Sequence, residues 1–263
     1  MFVITSPSVQ HLKMKREEDE EDEVCLDESF FINDNYQLTT FTFGSQVLEL
    51  LCLQSASTDF DLTGQLVWPG AMLLNDYISK NAELLHGSSI IELGSGIGVT
   101  GILCSKFCSD VVLTDHNDEI LKKNIDLQTS SKNANSNAGL AVEKLEWGNC
   151  DQTNQILQKY SGGFDLILGA DIYILYTRFF QQTSIPLLFD TVEQFIRFKG
   201  KGQCKFILAY VSRAKVMDSL VINEATRHKM IINEIAGTRS VVGNHEGVIF
   251  EIRLANPRMQ IRT

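Results

Sequence analysis

Residues 90 to 101 read IIELGSGIGVTG: two apolar residues, a glutamate, then four glycines within eight positions. A turn so bare of side chains lets backbone N–H groups approach a ligand closely, and Gly94 and Gly96 can take φ values that other residues avoid. If a helix follows, its free N–H groups and positive dipole end face the same ligand. Asp115 closes the next apolar run about 20 residues on, where a carboxylate meets ribose hydroxyls. A dinucleotide and S-adenosylmethionine both ask for such an arrangement, and GIGVTG from Gly96 even satisfies the dinucleotide pattern GxGxxG. Glu92 separates the two. A carboxylate directly before the first glycines crowds a pyrophosphate, whereas it suits a ligand with an ammonium group, and S-adenosylmethionine carries that group and no phosphate.

Other residues bear on the same choice. Trp147, in KLEWGN, stands at the end of a strand-like run, where an indole is either core or a surface on which an adenine stacks. Trp68, in VWPGA, stands at a helix start with the same two readings. Of the histidines, His116 beside Asp115 and His245 in the loop GNHEG are the nearest to such a site, and neither has the spacing of a triad or a metal centre. Six scattered cysteines form no CxxC pair, and Cys104 and Cys108 at i, i+4 fit buried thiols better than zinc ligands. No metal is expected, and the cysteine usage suits the cytoplasm or the nucleus.

The elements that must position these residues follow from periodicity. A hairpin is expected over 36–54 with Gly44 at its turn. A helix starting at Pro69 carries Met72, Leu73, Asp76 and Tyr77 at helical spacing. From residue 88 strands and helices alternate: SIIEL, then a helix over VTGILCSKFC, DVVLTD, then a helix capped by Asn117, LAVEKLEW and FDLILGAD. A helix around 176–198, the strand CKFILAYVS, a helix near 214–229 and the strands MIINEIAG and GVIFEIRL complete the chain. Alternation predicts an α/β fold with a mostly parallel sheet. The last two strands are too close for a helical crossover and should pair antiparallel. The expected architecture is a Rossmann-like seven-stranded sheet, six strands parallel and one antiparallel, with helices on both faces and an N-terminal β-hairpin extension.

At 263 residues with 44% hydrophobic content the chain can bury a sizeable core. The net charge of −10 is uneven: the first 28 residues hold three basic and nine acidic side chains, so six of the ten excess negative charges lie there. Residues 1–28 therefore read as an acidic tail kept open by self-repulsion, and 29–263 as one domain, with 29–63 the hairpin extension and 64–254 the core. A body without a basic surplus argues against a nucleic-acid binder, and no apolar run spans a membrane. A monomer is expected.

The segments GQLVWPGAMLL, IIELGSGIGVTGI, VVLTDHND, KLEWGN and FDLILGADIY stand in the order seen in seven-strand S-adenosylmethionine-dependent methyltransferases. More narrowly, residues 64 to 254 resemble methyltransferase family 16, which holds many protein-lysine methyltransferases. The resemblance implies that Trp68 borders the cofactor, that Gly94, Ser95 and Gly96 cradle its methionine end with Glu92 nearby, and that Asp115 binds the ribose. It also implies Trp147 on the adenine side, Ala170 beside the reacting methyl, and Asp171 and Tyr173 as the catalytic candidates of an acidic-x-x-aromatic motif. This chain departs from that motif: Asp171-Ile172-Tyr173-Ile174 brings Tyr173 one place early, and a shift of one residue on extended chain turns a side chain to the opposite face. Asp171 is expected to orient a lysine amine of a protein substrate and relay its proton, or to cap the following helix. The competing readings are a non-catalytic binding protein on this scaffold and an NAD-dependent oxidoreductase.

Overall fold

Short apolar runs bounded by polar turns set the layering of the molecule. The computed structural model describes residues 36–53, 65–130, 139–171, 178–199, 204–213 and 215–255, all within a compact unit that starts at Asn35. The acidic segment 1–28, most of the polar stretch 129–139, and Tyr173 lie outside the described residues.

The main sheet is built from β3 (Ser89–Leu93), β4 (Asp110–Asp115), β5 (Gly139–Lys144), β6 (Leu166–Ala170), β7 (Lys205–Val211), β8 (Met230–Glu234), β9 (Ser240–Val242) and β10 (His245–Leu254). Its order is β5-β4-β3-β6-β7-β10-β8, with the three-residue β9 folded onto β10. The first five strands are mutually parallel. β10 is antiparallel to both β7 and β8, so β8 runs with the other five. The expected six-plus-one sheet is what forms; β9 is an addition in the connection between the last two strands.

Alternation along each strand feeds two cores. Ile91, Val112, Ile167, Phe206 and Leu208 face one side, against Ile156, Phe189, Phe195 and Val221. These partners belong to α4 (Cys150–Lys159), α5 (Arg178–Lys199) and α6 (Lys215–Arg227). Ile90, Val111, Leu113, Leu168 and Ala209 face the other side, against Leu74, Ile102 and Leu121, from α1 (Pro69–Lys80), α2 (Val99–Cys104) and α3 (Glu119–Ser130). Each such fully buried Leu, Ile or Phe contributes about 1.5–3 kcal/mol. Cys104 and Cys108 are buried free thiols.

Locally the structure adds to these expectations and in one place corrects them. α1 begins at Pro69 as expected and buries Gly70, Ala71, Leu74, Asn75 and Ile78, with Met72 40% exposed. α4 had not been foreseen; its N-cap Asn149 accepts the Gln152 N–H at 3.1 Å. Trp147 lies beyond β5, which stops at Lys144.

The N-terminal hairpin, β1 (Tyr36–Phe43) and β2 (Gln46–Leu53), is a separate two-stranded sheet that turns at Gly44, φ +58°. Asn124 of α3 ties it down: its Oδ1 accepts the Leu51 N–H at 2.7 Å and its Nδ2 donates to the Leu51 carbonyl at 3.0 Å. The same Nδ2 donates to the carbonyl of Ile97, inside the glycine loop, at 2.9 Å.

Candidate functional site

The sheet order reverses between β3 and β6, and in an open α/β sheet the crevice beyond the carboxyl ends of the strands at that point receives the ligand. The loop after β3 is shaped by three left-handed glycines, Gly94 (φ +66°), Gly96 (φ +54°) and Gly98 (φ +87°). A Cβ on Gly98 would lie 2.5 Å from Leu121 Cδ1, so only glycine serves there. Ser95 anchors the loop to β4: its N–H donates to the Thr114 carbonyl at 2.9 Å and its hydroxyl accepts the Thr114 N–H at 3.1 Å.

The loop and the acid after β4 face each other. Asp115 Oδ2 accepts the Gly96 N–H at 2.8 Å, and Oδ1 accepts the Asn117 N–H at 3.1 Å and lies 2.9 Å from His116 Nδ1. The Leu145 N–H donates to the Asp115 carbonyl at 3.0 Å, which leads the half-buried Trp147 past the same strand end. Gly148 follows because φ is +83° and a Cβ would meet Leu187 Cδ2 at 2.5 Å.

Glu92 sits differently from the expectation. It is 3% exposed and turned toward α2, where it accepts the Gly101 N–H at 2.9 Å. The helix has no side-chain cap of its own, since its N-cap is Gly98, and Glu92 supplies that acceptor from the strand. Burial pushes the Glu92 carboxyl up to about 7, against the pull of the Ser95 hydroxyl and the Gly101 N–H. A buried carboxyl committed to a helix end holds the loop in shape; of a contact with the methionine end made directly or through water, this orientation does not provide the direct one.

Asp171 requires the larger correction. It takes φ +50°, uncommon for a residue with a Cβ, and its side chain is 1% exposed. Oδ1 accepts the Val211 N–H at 3.2 Å and Arg213 Nη1 at 3.1 Å; Oδ2 accepts the Gly70 N–H at 2.5 Å and Arg213 Nη2 at 3.1 Å. Each oxygen therefore already carries two hydrogen bonds, which leaves no lone pair to orient an incoming amine. The segment that leads from Asp171 into α5 lies outside the described residues, and with it the cap on the following helix. Asp171 caps α1, about a hundred residues earlier, whose N-cap Trp68 makes no side-chain cap bond. Ala170, directly before it, packs against the α1–α3 side of the sheet.

The structure thus brings Gly94, Ser95, Gly96 and Asp115 into one constellation, and Trp68, Ala170 and Asp171 into another at the neighbouring strand ends. A loop of close-approach backbone at Gly94–Gly96 and an acceptor carboxylate at Asp115 fit a nucleoside ligand such as S-adenosylmethionine. Sequence reasoning missed Arg213 and Asn124. Arg213 lies two residues beyond the apolar run of β7, and only the β6–β7 register, with Ala170 opposite Ala209, reveals its partner. A recess of about 620 Å³ lined in part by Glu83, His86, Lys106 and Ser109 opens at the amino ends of β3 and β4. It is at the wrong end of the strands for this constellation.

A family model described as lysine methyltransferase matches residues 49–227. The protein N-lysine methyltransferase METTL21A of Mus musculus is 32% identical over 143 residues, which are 52% of this chain and 59% of that protein. The EEF1A lysine methyltransferase 3 of Xenopus tropicalis is 35% identical over 129 residues, 48% of this chain and 50% of that protein. The chain spans about half the length of the curated relatives it matches. Among solved structures, a protein of Streptococcus mutans described as a candidate SAM-dependent methyltransferase aligns with a TM-score of 0.50 at 9% identity, over 82% of this chain and 55% of that chain. A likeness at that identity is one of fold.

Proposed function

Because the chain belongs to the lysine methyltransferase family, we propose that it transfers a methyl group from S-adenosylmethionine to a lysine side chain of a protein substrate. The observation that carries this reading is the loop of three left-handed glycines locked to Asp115 through the Gly96 N–H at 2.8 Å. Gly94, Ser95 and Gly96 would hold the methionine end through backbone groups, Asp115 the ribose, and Trp147 the adenine side. The bound donor supplies an electrophilic methyl on a sulfonium, which leaves as a neutral thioether.

What this chain's residues contribute is placement. Aligning donor and nucleophile about 3 Å apart and excluding water accounts for most of such a rate enhancement. A lysine amine, with an ordinary pKa near 10.4, must shed its proton before it attacks, and a positively charged neighbourhood favours that loss. In this geometry the Asp171 oxygens are engaged by Gly70, Val211 and Arg213, so its part in this reading is to hold the start of α1 in place.

The test is methyl transfer from radiolabelled S-adenosylmethionine into the proteins of a cell lysate, followed by hydrolysis and amino-acid analysis. Label is expected in methyllysine, and Asp115→Ala should lower it at least tenfold, the loss expected when an oriented contact is removed. Label in nucleic acid would reassign the acceptor class. Calorimetry that finds a nicotinamide cofactor bound and S-adenosylmethionine rejected would replace the reading with an oxidoreductase.

A further inference from the structure

Around Asp171 four parts of the chain converge. The Asp171 N–H donates to the Ala209 carbonyl at 3.0 Å, which continues the pairing of β6 with β7 one residue past the strand. Its carboxylate then reaches back to α1 through Gly70, across to β7 through Val211, and outward to the fork of Arg213. Gly70 is a glycine because a Cβ there would stand 2.6 Å from Asp171 Cγ. Arg213 Nη1 also donates to the Val211 carbonyl at 3.1 Å, and its guanidinium carbon lies 5.9 Å from the centre of the Trp68 ring, within the range of a cation–π interaction.

We propose that Arg213 is a positioning residue of this site, holding Asp171 and Trp68 together so that the start of α1 forms a fixed wall beside the carboxyl ends of β6 and β7. The inference rests on the reading that this crevice takes S-adenosylmethionine. Its physical basis is the shape of guanidinium: two parallel N–H groups satisfy both carboxylate oxygens while the planar face stays free to meet an indole. A lysine ammonium is a point donor and cannot do both. The positive φ at Asp171 adds a small cost that the bonds to its carboxylate offset, aspartate tolerating that region better than most residues with a Cβ. At 32% side-chain exposure Arg213 lies at the rim, and Asp171 at 1% lies beneath it. The arginine therefore closes the carboxylate off from the space where an acceptor arrives.

The chain has two tryptophans, so in a Trp147→Phe background fluorescence reports Trp68 alone. Acrylamide quenching of Trp68 without any cofactor is compared in the Trp147→Phe chain alone and with Arg213→Ala, Arg213→Lys or Val221→Ala added, and S-adenosylhomocysteine affinity by calorimetry in the wild type and the same three variants with Trp147 intact. Val221 is buried on the far face of the sheet and controls for lost stability as such. Arg213→Ala should at least double the quenching constant and weaken S-adenosylhomocysteine roughly tenfold, as expected when a preorganised wall is released. Arg213→Lys should recover less than half of either effect on a logarithmic scale, and Val221→Ala should move neither. Values within twofold of wild type in Arg213→Ala overturn the proposal, and so does an equal loss in Val221→Ala. Should Arg213→Ala not fold, Arg213→Lys decides: wild-type values overturn the proposal and a threefold or greater change supports it. If wild type itself binds no S-adenosylhomocysteine, it is the functional reading that fails, while the cofactor-free quenching still decides whether Arg213 holds Trp68.

Discussion

A methyl group at position 70 would have to share the volume of a carboxylate. The Cβ of Gly70→Ala falls 2.6 Å from Asp171 Cγ and under 3.0 Å from both oxygens, and neither side can yield cheaply. The Gly70 backbone is the first turn of α1, and Asp171 is held by three other donors. Moving them apart breaks the Gly70 N–H bond and leaves a buried polar group short of a partner, at about 1–3 kcal/mol, with overpacking of similar size beside it. Urea denaturation of Gly70→Ala should show a loss of at least about 2 kcal/mol, and a loss under about 0.5 kcal/mol, the range of an ordinary surface change, would show that the carboxylate simply steps aside. At this scale the sequence was partly legible. The left-handed turns at Gly94, Gly96 and Gly98 and the acid that closes the next strand were legible by spacing, since alternate glycines after a buried strand mark a tight turn. The roles of Glu92 and Asp171 were not legible, because which group fills a carboxylate's lone pairs depends on strand register and helix placement, and neither is written locally.

The elements around the site share a device. α1 and α2 start at Trp68 and Gly98, neither of which caps its helix through a side chain, and each helix receives a buried carboxyl from a strand instead. Asp171 serves Gly70, and Glu92 serves Gly101. Capping in trans fixes helix to sheet as well as satisfying the amides, which is why both helix starts lie at the crevice. A third tie runs from α3. Asn124 is fully buried and uses its amide on Leu51 of the hairpin and on Ile97 of the glycine loop. Replacing it by leucine, close in volume, strands an N–H and two carbonyls. At about 1–3 kcal/mol for each group left unsatisfied, a loss of roughly 3 kcal/mol or more is expected in denaturant titrations. Because one of those carbonyls lies in the glycine loop, S-adenosylhomocysteine affinity should fall as well; intact affinity would mean that the loop keeps its shape without the hairpin. Most elements were legible from apolar periodicity. α4 was not, since its buried side is only Thr153, Ile156 and Leu157, too thin a stripe to register. α1 was legible as a helix from Pro69 and its spacing, and its buried side includes Gly70, Ala71 and Asn75, which no hydrophobicity count picks out.

For the molecule as a whole, stability against pH sums carboxyls displaced in opposite directions. Burial pushes the Glu193 carboxyl up, but hydrogen bonds from His228 and Arg197 prevail and hold it below its ordinary value. Its contribution is present above the unfolded value of 4.5 and is lost as the pH falls through the lower folded one. Glu92 is the reverse case, raised by burial from 4.5 to about 7. The folded state then binds the proton more tightly than the unfolded chain, so the stability this group contributes is complete below 4.5 and drains away as the pH rises toward 7. The displacement corresponds to about 3 kcal/mol, and the balance levels off above the folded value. Glu92→Gln isolates the effect, because the amide oxygen can still accept the Gly101 N–H and carries no charge at any pH. Urea denaturation at pH 5, 6, 7 and 8 should show variant and wild type of similar stability at pH 5, with the variant gaining steadily to an advantage of about 3 kcal/mol by pH 8. A constant difference across that range would mean that Glu92 ionises in the folded protein as it does in the unfolded chain. The glycine loop would then be held around a charged carboxylate, and the ammonium contact first read from the sequence would return as the better account of that residue.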